Sequence, residues 1–180
     1  MRQNGITLIE LLSALALIAI LVHLSAPAFR KLVESAQRQE MAKQLASGLR
    51  MARSEAMVRH ERVIVQAIGE DWSNGWRIIV DASGKGHEDV DNPVLLEYGT
   101  RSRVPVIGNH HLKVNVQFSS LGEPLGSKGY QLGTLHICAK REPVSHYQVV
   151  LAKTGRISLR SNTDEQPLCE RRGSKQGANA

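Results

Sequence analysis

The chain has 180 residues, a formal net charge of +6 and a sequence pI near 9.6. That length suits one domain with one buried core; a hydrophobic fraction of 42% excludes a disordered chain, and a mean hydropathy of -0.23 excludes a polytopic membrane protein. Two cysteines outside any C-x-x-C pair exclude a disulfide-dense scaffold.

From Leu11 to Phe29 no side chain is formally charged, and Ser13, His23 and Ser25 are the polar interruptions. About 19 residues rising 1.5 Å each give roughly 28 Å, close to the thickness of a bilayer's hydrocarbon core. Pro27 stands near the far end, where it bends a continuing helix. Three readings compete for the segment. One is a secretory signal with Ala26-Pro27-Ala28 as its cleavage site, which Pro27 disfavours. A second is a plain anchor helix. The third depends on Gly5-Ile6-Thr7-Leu8-Ile9-Glu10-Leu11-Leu12, in which a single acid heads the apolar run. A carboxylate in lipid costs on the order of 2.5–3.5 kcal/mol on insertion scales unless it finds a partner. An N-terminus made at Ile6 lies about one helical turn from Glu10 and provides a cation.

These residues resemble the leader of type IV prepilins and type II secretion pseudopilins. The resemblance implies that a prepilin peptidase cuts between Gly5 and Ile6 and methylates the new N-terminus, with isoleucine standing where the family usually has phenylalanine. It further implies that Glu10 pairs with the N-terminus of a neighbouring subunit during assembly, and that Pro27 is the proline that bends the family's helix.

From Phe29 to about Val63 the pattern becomes amphipathic. Met41, Leu45, Leu49, Ala52 and Ala56 recur at helical spacing, while Arg38, Lys43, Arg50, Arg53 and Arg59 fill other faces and read as solvated. Within this half, Leu49-Arg50-Met51-Ala52-Arg53-Ser54-Glu55-Ala56 resembles the L-x-x-A-R-S-E-A stretch of GspH/FimT minor pilins and pseudopilins. Asp71-Trp72-Ser73-Asn74-Gly75-Trp76 through Asp81 is similar to that family's tryptophan–glycine–tryptophan strand. Leu95-Leu96, Phe118 to Gly122 and Thr134 to Cys138 fall where the family places strands.

Short β-rich runs follow at Val63–Val65, Trp76–Val80, Val94–Tyr98, Leu112–Phe118, Thr134–Cys138, Tyr147–Leu151 and Arg156–Leu159. Leu112, Val114, Val116 and Phe118 alternate cleanly, which predicts one buried face. Ser73 to Gly75, Ser83 to Gly86, Gly108-Asn109 and Gly122 to Gly129 read as joints. The resemblance implies an α+β, pilin-like fold: a long N-terminal helix packed on a small antiparallel β domain. The expected divisions are a leader at 1–5, an assembly helix at 6–28, an amphipathic half at 29–63, a β domain at 64–160 and a basic tail at 161–180.

Three local features carry candidate chemistry. Asp81, Ser83 and Asp89 sit at ligand positions of a calcium loop, but Lys85 occupies another and Asn92 replaces the bidentate acid, so an acidic hairpin loop with no metal is expected. Cys138 and Cys169 are expected to bridge if the domain is exported, tying the C-terminal segment to the sheet. Lys153, Arg156, Arg160, Arg171 and Arg172 form a basic stretch, read either as a solubilising tail or as a phosphate-binding site. Some FimT-type relatives bind DNA through G-R-x-R; here Gly155-Arg156-Ile157-Ser158 breaks that motif, with Arg160 two positions later. Strand alternation is expected to turn Arg156 and Arg160 to one face, and no aromatic residue lies near them in sequence.

The enzyme motifs G-x-S-x-G, H-E-x-x-H, the phosphate loop and the dinucleotide fingerprint are missing from the sequence. His110 and His111, if on a strand, point to opposite faces and make a poor metal pair. The expectation is therefore a non-enzymatic subunit without a cofactor. The resemblance implies an inner-membrane protein with a periplasmic domain, whose partners are prepilin peptidase and other major and minor pilins. It would prime or support a type IV pilus, with a DNA-uptake pilin and a type II secretion pseudopilus subunit as alternatives.

Overall fold

The computed structural model describes residues 7–99, 104–126, 129–140, 144–162, 164–165 and 169. One helix, α1, runs from Leu8 to Arg59 and continues through Pro27. The chain divides into two compact units, residues 1–36 and 37–180. The first is the apolar half of α1, and its large side chains are open, with Leu8 77% and Leu24 70% exposed.

In the second unit α1 buries one face: Met41, Ala42, Leu45, Ala46, Gly48, Leu49, Ala52 and Ala56. Five of these eight are alanine or glycine, so the sheets approach the helix backbone closely. The helix stops at Arg59, four residues short of the expected boundary, and Val63 already opens a strand. His60 carries φ 55, the left-handed conformation that ends helices. Glu55 accepts from Arg59 at 2.7 Å one turn earlier, a pairing oriented favourably to the helix dipole.

Two antiparallel sheets lie against this face. The first contains β1 (Val63–Ala67), β2 (Gly75–Val80), β3 (Val94–Gly99), β5 (Asn115–Phe118), β6 (Pro124–Gly126) and β7 (Gly129–Tyr130), in the order β3-β2-β1-β5-β6-β7. The second contains β4 (Val106–Gly108), β8 (Gly133–Cys138), β9 (Val144–Leu151) and β10 (Ile157–Arg160) in the order β10-β9-β8-β4, with β11 (Asp164–Glu165) also on β9. Their inner faces supply Val63, Val65, Trp76, Ile78, Val116 and Phe118 from one sheet and Leu135, Ile137, Val149 and Leu151 from the other to one core with the helix. This is the expected α+β architecture, with the inner faces of two sheets and one helix face buried in a single core.

Several local readings change. Leu112 is buried as the alternation implied, yet it ends a 3-10 turn, His110–Leu112, and the strand starts only at Asn115. The adjacent histidines are therefore on a turn, not a strand. Of Phe118 to Gly122, only Phe118 is strand; Ser119 Oγ accepts from the N–H groups of Leu121 and Glu123 and makes the rest a turn. Trp72 to Asn74 also forms a 3-10 turn, and the strand begins at Gly75.

Gly75 is required by that geometry. Its φ is +114, and a Cβ there would sit 2.0 Å from the Tyr98 carbonyl oxygen across the sheet. Both flanking tryptophans are buried: Trp72 donates to Leu112 O at 2.9 Å, and Trp76 stacks on Tyr98 with centroids 4.4 Å apart. Trp76 also presses on the helix, where a Cβ on Gly48 would lie 2.7 Å from its Nε1.

Cys138 of β8 is joined to Cys169, with Cα atoms 5.7 Å apart. In the chain-entropy account, closing about 32 residues restrains the unfolded chain by roughly 3.7 kcal/mol. Cys138→Ser is accordingly expected to lower the melting temperature of the full chain in detergent under oxidising conditions; equal melting of the wild type with and without reductant would remove that role. Gly48→Ala sets about 1 kcal/mol of added helix propensity against overpacking of about 1–3 kcal/mol at Trp76. A lower urea midpoint is expected, and an unchanged or higher one would show that the indole yields freely.

Candidate functional site

The first candidate site is the start of α1. Thr7 is the residue before the helix, and Glu10 is its third residue. Thr7 Oγ1 accepts from the Glu10 N–H at 3.4 Å and also lies 3.4 Å from Glu10 Oε2, to which it donates. T-L-I-E has the capping-box spacing; Thr7 caps the helix-end N–H of Glu10, and the Glu10 carboxylate holds the Thr7 hydroxyl. Ser13 and Ser25 donate to the carbonyls of Glu10 and Val22 at 2.9 and 3.2 Å. Both hydroxyls are thereby paired within the helix, which lowers the cost of placing them in lipid. The helix is long and apolar enough to cross a membrane. Pro27 lies within it and withholds the N–H that would otherwise bond the His23 carbonyl. Gly5 and Ile6 lie outside the described residues.

The second candidate site is the turn between β9 and β10. Lys153, Arg156 and Arg160 are all exposed. Arg160 ends β10 opposite Gln148, whereas Arg156 stands in the turn before the strand, its carbonyl accepting from Ala152 N. Of the two arginines, Arg160 alone is within the strand, and Arg156 directly precedes it. Arg171 and Arg172 lie outside the described residues.

Two helix arginines, expected to be solvated, converge on the same turn. Arg53 Nε donates to Gly122 O at 2.9 Å and its Nη2 to Thr154 O at 3.4 Å, while Arg50 Nη2 donates to Ile157 O at 3.2 Å. Carbonyls, not carboxylates, receive these donors, so both guanidinium charges remain uncompensated by those contacts. An aromatic ring is present as well: Lys153 Nζ lies 4.5 Å from the centroid of Tyr130, a cation–π contact. Sequence reasoning missed these residues because Tyr130 and Arg53 lie 23 and 100 positions from Lys153. The signal in hand was the A-R-S-E-A motif, which sets Arg53 beside the buried Ala52.

The acidic loop between β2 and β3 is held by two of its carboxylates, Asp81 and Asp89. Asp81, whose side chain is buried, pairs with Arg62 Nη1 at 3.2 Å and accepts from Gly86 N at 3.0 Å. Asp89 accepts from Ser83 Oγ at 2.5 Å and Asp91 N at 3.1 Å, and the Ser83 hydrogen bond, then that of Asp91, holds its carboxyl below the usual aspartate range. These are the contacts of a hairpin loop. On the far face of the second sheet, His136 Nδ1 lies 3.1 Å from Ser145 Oγ, and Gln148 Nε2 donates to Ser145 O and Asn162 O. Ser145 is fully buried.

Comparison with known proteins agrees with this architecture. Residues 41–155, more than half of the chain, match the family described as type II transport protein GspH, and residues 1–26 match the prokaryotic N-terminal methylation motif. No curated protein matches the chain. Two crystal structures of the type IV minor pilin FimU of Pseudomonas aeruginosa (strain PAO1) are similar in fold. The form in space group P21 is 22% identical, with a TM-score of 0.60 over 77% of this chain and 99% of that one. The form in P65 is 23% identical, with a TM-score of 0.53 over 73% and 99%. With the family match covering the helix–sheet unit and the methylation motif covering the start of α1, the chain belongs to the GspH family and has the pilin fold.

Proposed function

We propose that the protein is a minor pilin subunit, held in the inner membrane by the apolar half of α1 and taken into a type IV pilus whose assembly it primes or supports. The observation that carries this reading is the first unit itself: an apolar helix with open side chains, headed by an acid and matched over residues 1–26 by a methylation motif. Cleavage after Gly5 by prepilin peptidase would leave Ile6 as the methylated N-terminus. In a bundle of such helices, each apolar face is covered by its neighbours, and Glu10 meets the amine of the adjacent subunit. The mechanism is assembly, and the family supports a structural role rather than an enzymatic one. A pseudopilus of the type II secretion machinery is the sister reading, favoured by the family's description alone.

The Glu10 carboxyl has two roles to separate, because the group that would pair between subunits also holds the Thr7 hydroxyl that caps the helix. Glutamine at this position retains the cap but not the charge. Glu10→Gln is therefore expected to abolish incorporation into filaments as thoroughly as Glu10→Ala, with the melting of the β domain unchanged. Normal filament incorporation of Glu10→Gln would assign the residue to capping and remove the pairing role.

A second reading, a DNA-binding pilin for uptake, is favoured by the cations around the β9–β10 turn and by Tyr130 beside Lys153. It predicts that the full chain in nonionic detergent binds duplex DNA with an affinity that falls on a log–log salt plot by about 0.9 per phosphate contact. Arg156→Ala with Arg160→Ala should flatten that slope by about two. No binding at low salt would leave the structural subunit as the sole reading.

A further inference from the structure

We propose that the tip of the β2–β3 loop, Glu88 to Asp91, docks on the basic patch around Lys153 and Tyr130 of a second copy of the chain, in a head-to-tail contact. The loop presents Val90 at 92% exposure between Asp89 and Asp91, with Glu88 exposed alongside. A lone exposed valine needs no explanation. Here it crowns a loop that is fixed in place, by Asp81 accepting from Arg62 and Gly86, and by Asn92 Nδ2 donating to Gly86 O at 2.7 Å. A pre-shaped apolar tip ringed by carboxylates loses little conformational freedom on binding. Lys85 is the loop's one cation, and it sits before the tip.

The patch has the complementary chemistry. Tyr130 is 51% and Leu132 48% exposed, and around them stand Lys153 and Arg156, with Arg50 and Arg53 tied to the same turn through Ile157 O, Thr154 O and Gly122 O. A protein surface with an apolar centre and an acidic rim fits both halves of this patch. A phosphate backbone fits the cations but makes no use of Leu132. The chain's own loop is the acid-rimmed apolar surface at hand.

The two surfaces differ, and the sheet separates their points of origin. The loop springs from the β2–β3 side of the six-stranded sheet, and Tyr130 belongs to β7 at the other edge. A contact between unlike surfaces leaves one of each free and so propagates, giving an open series rather than a closed dimer. This deepens the filament-subunit reading and rests on it for its purpose. One loop buries less than the roughly 1,000 Å² of a stable interface, so the contact is weak alone and depends on helix packing to raise its effective concentration.

The test is zero-length carbodiimide crosslinking of the full chain in nonionic detergent, which couples a carboxylate to a lysine only at contact. Wild type is expected to give an intermolecular peptide joining Lys153 to Glu88, Asp89 or Asp91. Its yield should fall between about 0.01 M and about 1 M salt, as the Debye length shrinks from about 30 to about 3 Å. Glu88→Lys with Asp91→Lys, and separately Lys153→Glu with Arg156→Glu, should each lower the yield about tenfold or more, since like charges then face one another. Mixing the two variants should restore it. All four positions are exposed, and melting of each variant checks its fold. Equal yields in all samples, or loss in the patch variant with none in the loop variant, would overturn the proposal; the latter would give the patch to another acidic surface or to nucleic acid. The two readings fail separately: filament incorporation of Glu10→Gln tests the pairing on which the filament reading rests, whereas the charge swaps test this contact at positions outside α1.

Discussion

The second unit depends on how closely two sheets can approach one helix. Trp76 decides this distance: its indole lies where a Cβ on residue 48 would be, and its other side stacks on Tyr98. Glycine at 48 sits mid-helix at a cost of roughly 1 kcal/mol in propensity, so its presence is explained by packing rather than by helix formation. Ala42, Ala46, Ala52 and Ala56 keep the rest of that face shallow. With larger residues the sheets would stand off and their inner faces would no longer meet the helix in one core.

Seating the sheets leaves the turns at their ends to be fixed, and the helix does this with its flanking arginines. Arg53 bonds carbonyls in two turns that are distant in sequence, one after β5 and one before β10. Arg50 bonds the first residue of β10. A guanidinium suits the task because its donors fan out in a rigid plane and it needs no deprotonated partner. The consequence is electrostatic. Charge that would normally be distributed along a solvated helix is gathered beside Lys153 and Arg156, and a structural clamp also builds the basic patch.

The sequence made the larger plan readable because it rests on periodicity: a charge-free run, then three- and four-residue spacing, then alternation. The helix end at Arg59 was not readable, since His60 to Arg62 are polar residues that a helix would equally accept and the stop is a left-handed His60. Strands β4, β6 and β7 were missed because two or three residues with glycine or proline among them carry no alternation. Leu112 kept phase with Val116 and Phe118 while lying in a 3-10 turn, so burial was right and the element was wrong. At the basic site the lysine and arginines of the turn were visible. Tyr130, Arg50 and Arg53 were not, because only the folded sheets bring them there.

Among the described residues, the polar groups inside the domain are largely turned on one another. Asp81 is taken by Arg62 and Gly86, and Trp72 by two carbonyls of the 112–113 turn. Gln131 is similarly spent: its amide bonds His111 O and Asn115 O, and its carbonyl accepts from Gln117 N. The chemistry left open lies outside: an apolar helix half, an acid-ringed loop tip and a basic patch with an aromatic beside it. Surfaces of that kind gain free energy only against other surfaces. Such features favour assembly, because an open apolar or charged surface on one chain is relieved when a complementary neighbour covers it.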